Sequence, residues 1–232
     1  SSSWNASQQR GKRAMTITTD SQDRNPHQQE QIFFAGAAPQ DAHSALILIH
    51  GRGASAMDIL GLAHEAGVPG VWAIAPQAAN ATWYPNRFNT PVAGNEPWLT
   101  WALARVGEMV ALARGEGVPD ERIVIAGFSQ GACLALEWLA RTGTKIGGVL
   151  GFSGGLIENG NLPREYESDL LGSHVFVGCS DADFHIPLER VERSAELLGA
   201  LGAEVEKRIY PGMGHTINRD EIDYLRQFLT RQ

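Results

Sequence analysis

Two stretches of the chain match G-x-S-x-G: Gly127-Phe128-Ser129-Gln130-Gly131 and Gly151-Phe152-Ser153-Gly154-Gly155. In that pattern a serine sits on a sharp strand-to-helix turn, its small neighbours let the backbone bend tightly, and its hydroxyl can attack a carbonyl carbon. The pattern alone is weak in a chain with 26 glycines, so the surroundings decide. Ile123-Val124-Ile125-Ala126 reads as a buried strand before Ser129, and Ala132-Cys133-Leu134-Ala135-Leu136 continues as a helix after it, whose N-terminus favours negative charge. Behind Ser153 the residues Leu156-Ile157-Glu158-Asn159-Gly160 read as loop. Ser153 is therefore expected to be a turn residue at a strand end rather than a nucleophile.

A serine hydroxyl becomes a useful nucleophile only beside a base that a third group orients. If the chain order is serine, acid, histidine, the base is one of His174, His185 and His215. His174 starts a predicted strand at the wrong edge of the sheet. His215 lies in Pro211-Gly212-Met213-Gly214-His215-Thr216, a glycine-rich loop after the last predicted strand, and is the expected base. His185 is the alternative, because it shares a loop with the acid candidates. Those are Asp181 and Asp183 in Ser180-Asp181-Ala182-Asp183; spacing does not choose between them, and either could cap the helix that follows. Acyl transfer also needs donors for an oxyanion. The backbone N–H of Gln130, directly after the serine, and that of Arg52 in His50-Gly51-Arg52-Gly53 are the candidates. His50, ahead of a glycine turn, is expected to hold that loop. This chemistry requires no metal and no organic cofactor.

Such residues must be positioned by a sheet. Short runs rich in Val, Ile and Leu predict strands at 32–35, 46–49, 71–75, 123–128, 147–152, 174–178 and 205–210. Helical periods between them predict helices at 55–66, 98–114, 130–141, 187–201 and 219–230. Pro97 and Pro187 suit first-turn positions, where a missing N–H costs nothing. The alternation predicts an α/β fold with a mostly parallel sheet of about seven strands. One connection, 77–97, is long and holds Trp83, Tyr84 and Phe88, which are expected to wall a binding groove. Residues 1–31 are polar and aperiodic and read as a flexible tail, in which Met15 is a candidate native start and 1–14 an added segment.

Composition narrows the function classes. The net charge of −7 lacks the footprint of a phosphate-backbone binder, so no nucleic-acid partner is expected. The longest aliphatic run, Ala45-Leu46-Ile47-Leu48-Ile49, falls far short of the roughly 18 apolar residues of a membrane span. The tail lacks the apolar region of a signal peptide, and two cysteines, Cys133 and Cys179, make neither a disulfide framework nor a zinc set. A soluble, cytoplasmic protein is expected. Exposed aromatics could serve a homodimer as well as a groove.

Taken together, Leu48-Ile49-His50-Gly51-Arg52-Gly53, Thr82-Trp83-Tyr84, Asn95-Glu96-Pro97-Trp98, the Ser129 pentapeptide, Gly178-Cys179-Ser180-Asp181 with Asp183 and Ile186-Pro187, and Gly212-Met213-Gly214-His215 resemble the phospholipase/carboxylesterase family of serine hydrolases. The likeness runs from about residue 26 to the C-terminus. It implies an α/β-hydrolase fold over 32–232 without a large lid, since about 21 residues at 153–173 leave no room for one. The family's acid stands three residues before an aliphatic-Pro pair, which implies Asp183. Phe184 follows where the family commonly has Pro, a departure that bears on the loop and the breadth of the acyl pocket. The resemblance implies a carboxylesterase acting on small or linear acyl esters through a Ser129–His215–Asp183 triad and an acyl-enzyme. Acyl-protein or acyl-CoA thioesterase and lysophospholipase are the neighbouring readings, and a non-catalytic binding module is the reading from another class.

Overall fold

A computed structural model describes residues 24–231 of the chain. Seven strands form one sheet: β1 (Ile32–Gly36), β2 (Ser44–Ile49), β3 (Val71–Pro76), β4 (Ile123–Phe128), β5 (Gly148–Phe152), β6 (His174–Ser180) and β7 (Glu204–Tyr210). Their spatial order is β1-β3-β2-β4-β5-β6-β7, with β1 antiparallel to β3 and every other pair parallel. The helices are α1 (Ala56–Ile59), α2 (Gly61–Ala66), α3 (Trp98–Gly115), α4 (Gln130–Thr142), α5 (Leu188–Ala200) and α6 (Arg219–Thr230). This is the mostly parallel α/β sheet that the alternation of elements predicts, in the α/β-hydrolase arrangement that the family resemblance implies.

Strand side chains alternate between faces, so each strand feeds two cores. Ile47, Ile49, Ile125, Val149 and Val177 pack under α3, α4 and α5, while Leu46, Leu48, Val124, Leu150 and Phe176 pack under α1, α2 and α6. Central strands covered on both faces have no reason to alternate in polarity. Hence β2, β3 and β5 are buried throughout, and β4 up to Phe128, which is partly exposed beside Ser129. The predicted helix 55–66 is two short helices that meet at Leu60, next to Gly61, whose poor helix propensity weakens a continuous run. Pro97 and Pro187 each precede the first helical residue rather than occupy it.

The segment 153–173, where a lid could have stood, is irregular apart from one bridge between Asn159 and Leu162. It is tied down by Glu137 of α4. That buried carboxylate accepts from the Ile157 N–H at 3.2 Å, the Arg164 guanidinium at 2.8 Å and the Tyr166 hydroxyl at 2.6 Å, and pairs with Arg141.

The predicted tail 1–31 extends too far. Residues 1–23 lie outside the described residues, but 24–31 are built into the fold through a 3-10 turn at Pro26–Gln29. Asn25 caps that turn and donates to the Trp101 carbonyl at 2.8 Å. His27 is fully buried, accepts from the Ala79 N–H at 3.0 Å and donates to the Trp83 carbonyl at 2.9 Å. Polar residues look like tail to a hydropathy pattern even when each of them has a buried partner. Among the described residues no helix is long and apolar enough to cross a membrane.

Candidate active site

Ser129 follows β4 directly and precedes α4, at φ 57° and ψ −117°. A non-glycine residue in this left-handed region costs on the order of 1–3 kcal/mol and persists only where its surroundings enforce it. Here the Ser129 N–H donates to the Phe152 carbonyl at 3.0 Å, and its own carbonyl accepts from Cys133 at 3.0 Å, starting α4. The flanking glycines are steric requirements. A β-carbon on Gly127 would overlap the Gly131 carbonyl, and one on Gly131 would overlap the carbonyls of Ile49 and His50. The spacing in Gly127-Phe128-Ser129-Gln130-Gly131 is thus what lets β2, β4 and α4 meet at one point.

His215 Nε2 lies 2.9 Å from Ser129 Oγ, and His215 Nδ1 lies 2.7 Å from Asp183 Oδ2. With Nδ1 donating to the carboxylate, Nε2 is the acceptor for the serine hydroxyl. The Asp183 side chain is fully buried. Its Oδ1 accepts from the N–H groups of His185 and Ile186 at 2.8 and 3.0 Å, and the Cys179 thiol faces Oδ2 at 3.8 Å. Burial first, and then the Asp183 charge, push the Cys179 thiol up to about 12, so it stays protonated. Asp181, the other acid candidate, accepts instead from the Gly212 N–H at 2.8 Å. His185 is exposed, its ring 4.6 Å from that of His215.

Further polar side chains hold the histidine loop. Ser180 Oγ accepts from the Gly214 N–H at 2.9 Å, and Ser153 Oγ donates to the Thr216 carbonyl at 3.2 Å. Ser153 is fully buried, at φ 55°, as befits a turn residue at the end of β5. His50 is also buried; its Nδ1 donates to the Gly51 carbonyl at 2.8 Å and its Nε2 accepts from the Ala78 N–H at 3.0 Å. Burial lowers its pKa and keeps it neutral, which suits a loop anchor.

Beside Ser129 lies a cavity of about 330 Å³ whose lining includes Arg52, Tyr84, Phe88, Gln130, Cys133 and His215. Trp83, expected to wall a groove, and Phe184, expected to contact substrate at the acyl pocket, both lie outside this lining. Trp83 is fully buried, its Nε1–H donating to the His50 carbonyl at 2.9 Å and its ring 5.1 Å from the rings of both His27 and His50. Phe184 is 96% exposed, because the turn closed by Asp183 Oδ1 on the next two N–H groups directs it outward. The connection 77–97 is braced as well as long. Gln130 accepts from the Trp83 N–H and donates to the Tyr84 carbonyl, both at 2.9 Å, and Arg52 donates to the carbonyls of Pro85 and Asn86 at 2.9 Å. No periodicity marks such bracing residues. Only the Asn25-Pro26 pair, a helix-start signal, could have shown that the segment ahead of β1 is ordered. Among the described residues no group of three or more His, Cys, Asp or Glu could hold a metal ion.

A phospholipase/carboxylesterase family model matches residues 31–232. The crystal structure of a phospholipase/carboxylesterase from Dyadobacter fermentans is 41% identical, with a TM-score of 0.81 over 87% of this chain and 96% of that one. The crystal structure of esterase PE8 is 26% identical, with a TM-score of 0.72 over 87% of this chain and 98% of that one. Acyl-protein thioesterase 1 of Gibberella zeae is 35% identical over 119 residues, half of each chain. That of Yarrowia lipolytica is 26% identical over 81% of this chain and 92% of its own. The chain thus spans about half the length of the Gibberella zeae relative.

Proposed function

Starting from a chain that belongs to the phospholipase/carboxylesterase family, we propose that it hydrolyses small or linear carboxylic esters through an acyl-enzyme on Ser129. The observation that carries this reading is the continuous relay from Ser129 Oγ through His215 to the buried Asp183 carboxylate. His215 Nε2 takes the hydroxyl proton as Oγ attacks the acyl carbon. Asp183 holds the imidazole in the tautomer that leaves Nε2 free and stabilises the imidazolium that forms. The backbone N–H groups of Arg52 and Gln130, two residues that line the cavity, serve the oxyanion of the tetrahedral intermediate. The imidazolium then protonates the departing alkoxide, and His215 activates a water that releases the acid and regenerates Ser129.

A cavity of about 330 Å³ suits a short or slender acyl group better than a bulky one. Thioester hydrolysis is the second reading, supported by the name of the acyl-protein thioesterase relatives. The same relay serves it, because only the leaving atom changes. A binding module that has abandoned chemistry would have no need of a complete relay.

The test is hydrolysis of p-nitrophenyl esters of rising chain length, compared with acyl-CoA thioesters of the same acyl groups. Ser129→Ala runs alongside, and a fluorophosphonate adduct is located by peptide mass. Short-chain activity that vanishes in Ser129→Ala, with the adduct on Ser129, is expected. Wild-type activity no higher than that of Ser129→Ala overturns the reading, and a uniform preference for thioesters moves it to the second one.

A further inference from the structure

Arg190, on the first turn of α5, is 1% exposed, yet Nε, Nη1 and Nη2 all lack a hydrogen-bond partner. The guanidinium lies over the Phe88 ring at 3.5 Å. A buried charge normally acquires a counterion with good hydrogen bonds. The neighbouring carboxylates are already committed. Glu137 is satisfied by Arg141, Arg164 and Tyr166, and Glu158 pairs with Arg193. The guanidinium stands behind the wall of the cavity beside Ser129 and itself lines a second cavity, with Glu158, Arg164 and Arg193. Phe88, the lid over the guanidinium, is part of the first cavity's wall, as is Cys133, one turn along α4 from Ser129. Gly155 packs against the arginine, where a β-carbon would come 3.5 Å from Nε. Gly155 belongs to the second G-x-S-x-G stretch, which has no nucleophile to form, and its missing β-carbon leaves room for Ser194 Oγ, which would otherwise lie 2.8 Å away.

We propose that Arg190 is the recognition group for an ionised carboxylate at the far end of the substrate's acyl chain, with Phe88 turning aside to admit it, so that the preferred substrates are half-esters of short dicarboxylic acids. The leaving oxygen must sit by His215 Nε2 to be protonated, which leaves the Tyr84, Phe88 and Cys133 side of the cavity to the acyl chain. A short acyl chain running past Cys133 ends at the Phe88 wall, behind which the guanidinium lies. A guanidinium fork matches a carboxylate with two parallel hydrogen bonds, which a neutral chain end cannot supply. Phe88 is half-buried, its ring packed on the core and the guanidinium, and its hydrogen bond is made by the backbone carbonyl, which accepts from the Glu158 N–H at 2.9 Å. Its ring can therefore move without breaking a hydrogen bond.

This inference deepens the esterase reading and rests on it. The experiment compares monoethyl glutarate and monoethyl adipate with ethyl valerate and ethyl hexanoate, in wild type, Arg190→Met and Arg190→Lys, following acid release. The wild type is expected to favour the charged esters by about tenfold or more in kcat/KM, mostly through KM, a preference of the size that matched polar recognition produces. In Arg190→Met that ratio falls to about one or below, and Arg190→Lys, which keeps the charge without the fork, lies between. A wild-type ratio at or below one, the same ratio in Arg190→Met, or a preference for the ethyl ester of 4-phosphonobutyrate over the carboxylate overturns the proposal. Calorimetry of monoethyl glutarate binding to Ser129→Ala, with and without Arg190→Met, separates the two readings. If the wild type hydrolyses no ester, the esterase reading falls, while Arg190-dependent binding in the inactive protein still upholds the carboxylate site and its absence overturns it.

Discussion

At the residue scale the site depends on atoms that are missing as much as on those present. Gly131 has no β-carbon because the carbonyls of Ile49 and His50 occupy that position. Gly131→Ala is expected to push α4 off β2, destabilising the protein by about 2–3 kcal/mol as an overpacked core does. Because the elbow moves with the helix, esterase activity should fall far more than the fraction unfolded. Urea midpoints and kcat/KM measured on the same preparation check this, and a variant of wild-type activity would show that the contact is soft. Asp183 is equally particular. Both its oxygens are engaged and it is sealed from water, whereas Asp181, two positions earlier, is exposed and bonds a loop N–H. Sequence distance cannot separate two such aspartates, because the choice depends on which one the turn points toward His215.

At the scale of elements, the Gln130 side chain ties α4 to the connection that walls the cavity. It meets one backbone donor, Trp83 N–H, and one acceptor, the Tyr84 carbonyl. Gln130→Ala would strand both in a buried place, at a cost of about 2–4 kcal/mol. Gln130→Glu keeps the acceptor for Trp83 but sets a carboxylate oxygen against the Tyr84 carbonyl, so it should be no better than alanine. Thermal unfolding ranks the three proteins, and KM in the variants should rise more than kcat falls, because the backbone N–H of Gln130 is retained. Stability equal to wild type in Gln130→Glu would show that the amide donor is dispensable. These contacts also explain why Trp83 does not reach substrate. Its indole N–H and its ring complete the loop's attachment to His50 and His27, and a side chain engaged on both sides has no face left for a cavity.

At the scale of the whole molecule, the back of β6 carries a buried acid. Glu221 of α6 is fully buried and forms a capping box with Asn218, but its Oε2 has no hydrogen-bond partner. Burial pushes it up from 4.5 to about 7. The folded-state value lies above the unfolded one, so no penalty exists below about pH 4.5, where both states are protonated. Stability is then lost as pH rises toward 7 and stays lower above it. The whole shift corresponds to about 3 kcal/mol. Glu221→Gln keeps the capping oxygen and removes the titration. Its stability gain over wild type should therefore be small at pH 4.5 and largest near pH 8, as read by urea unfolding at both pH values. An equal difference at the two would show that Glu221 does not titrate in this window.

The local and periodic features were legible in the sequence. Buried strands carry runs of Val, Ile and Leu because both faces are covered, and the elbow carries glycines because three backbones converge there. The seven strands and the main helices follow from that, as do Ser129 and His215 as candidates. What required tertiary structure were relations between chain segments far apart in sequence. His27 bonds residues near position 80, Gln130 bonds the Trp83 loop, and Arg190 meets Phe88 while its nitrogens find no acceptor. A hydrophobic pattern records which faces avoid water, but a single polar partner leaves no period, so it is visible only once the fold has brought the two residues together.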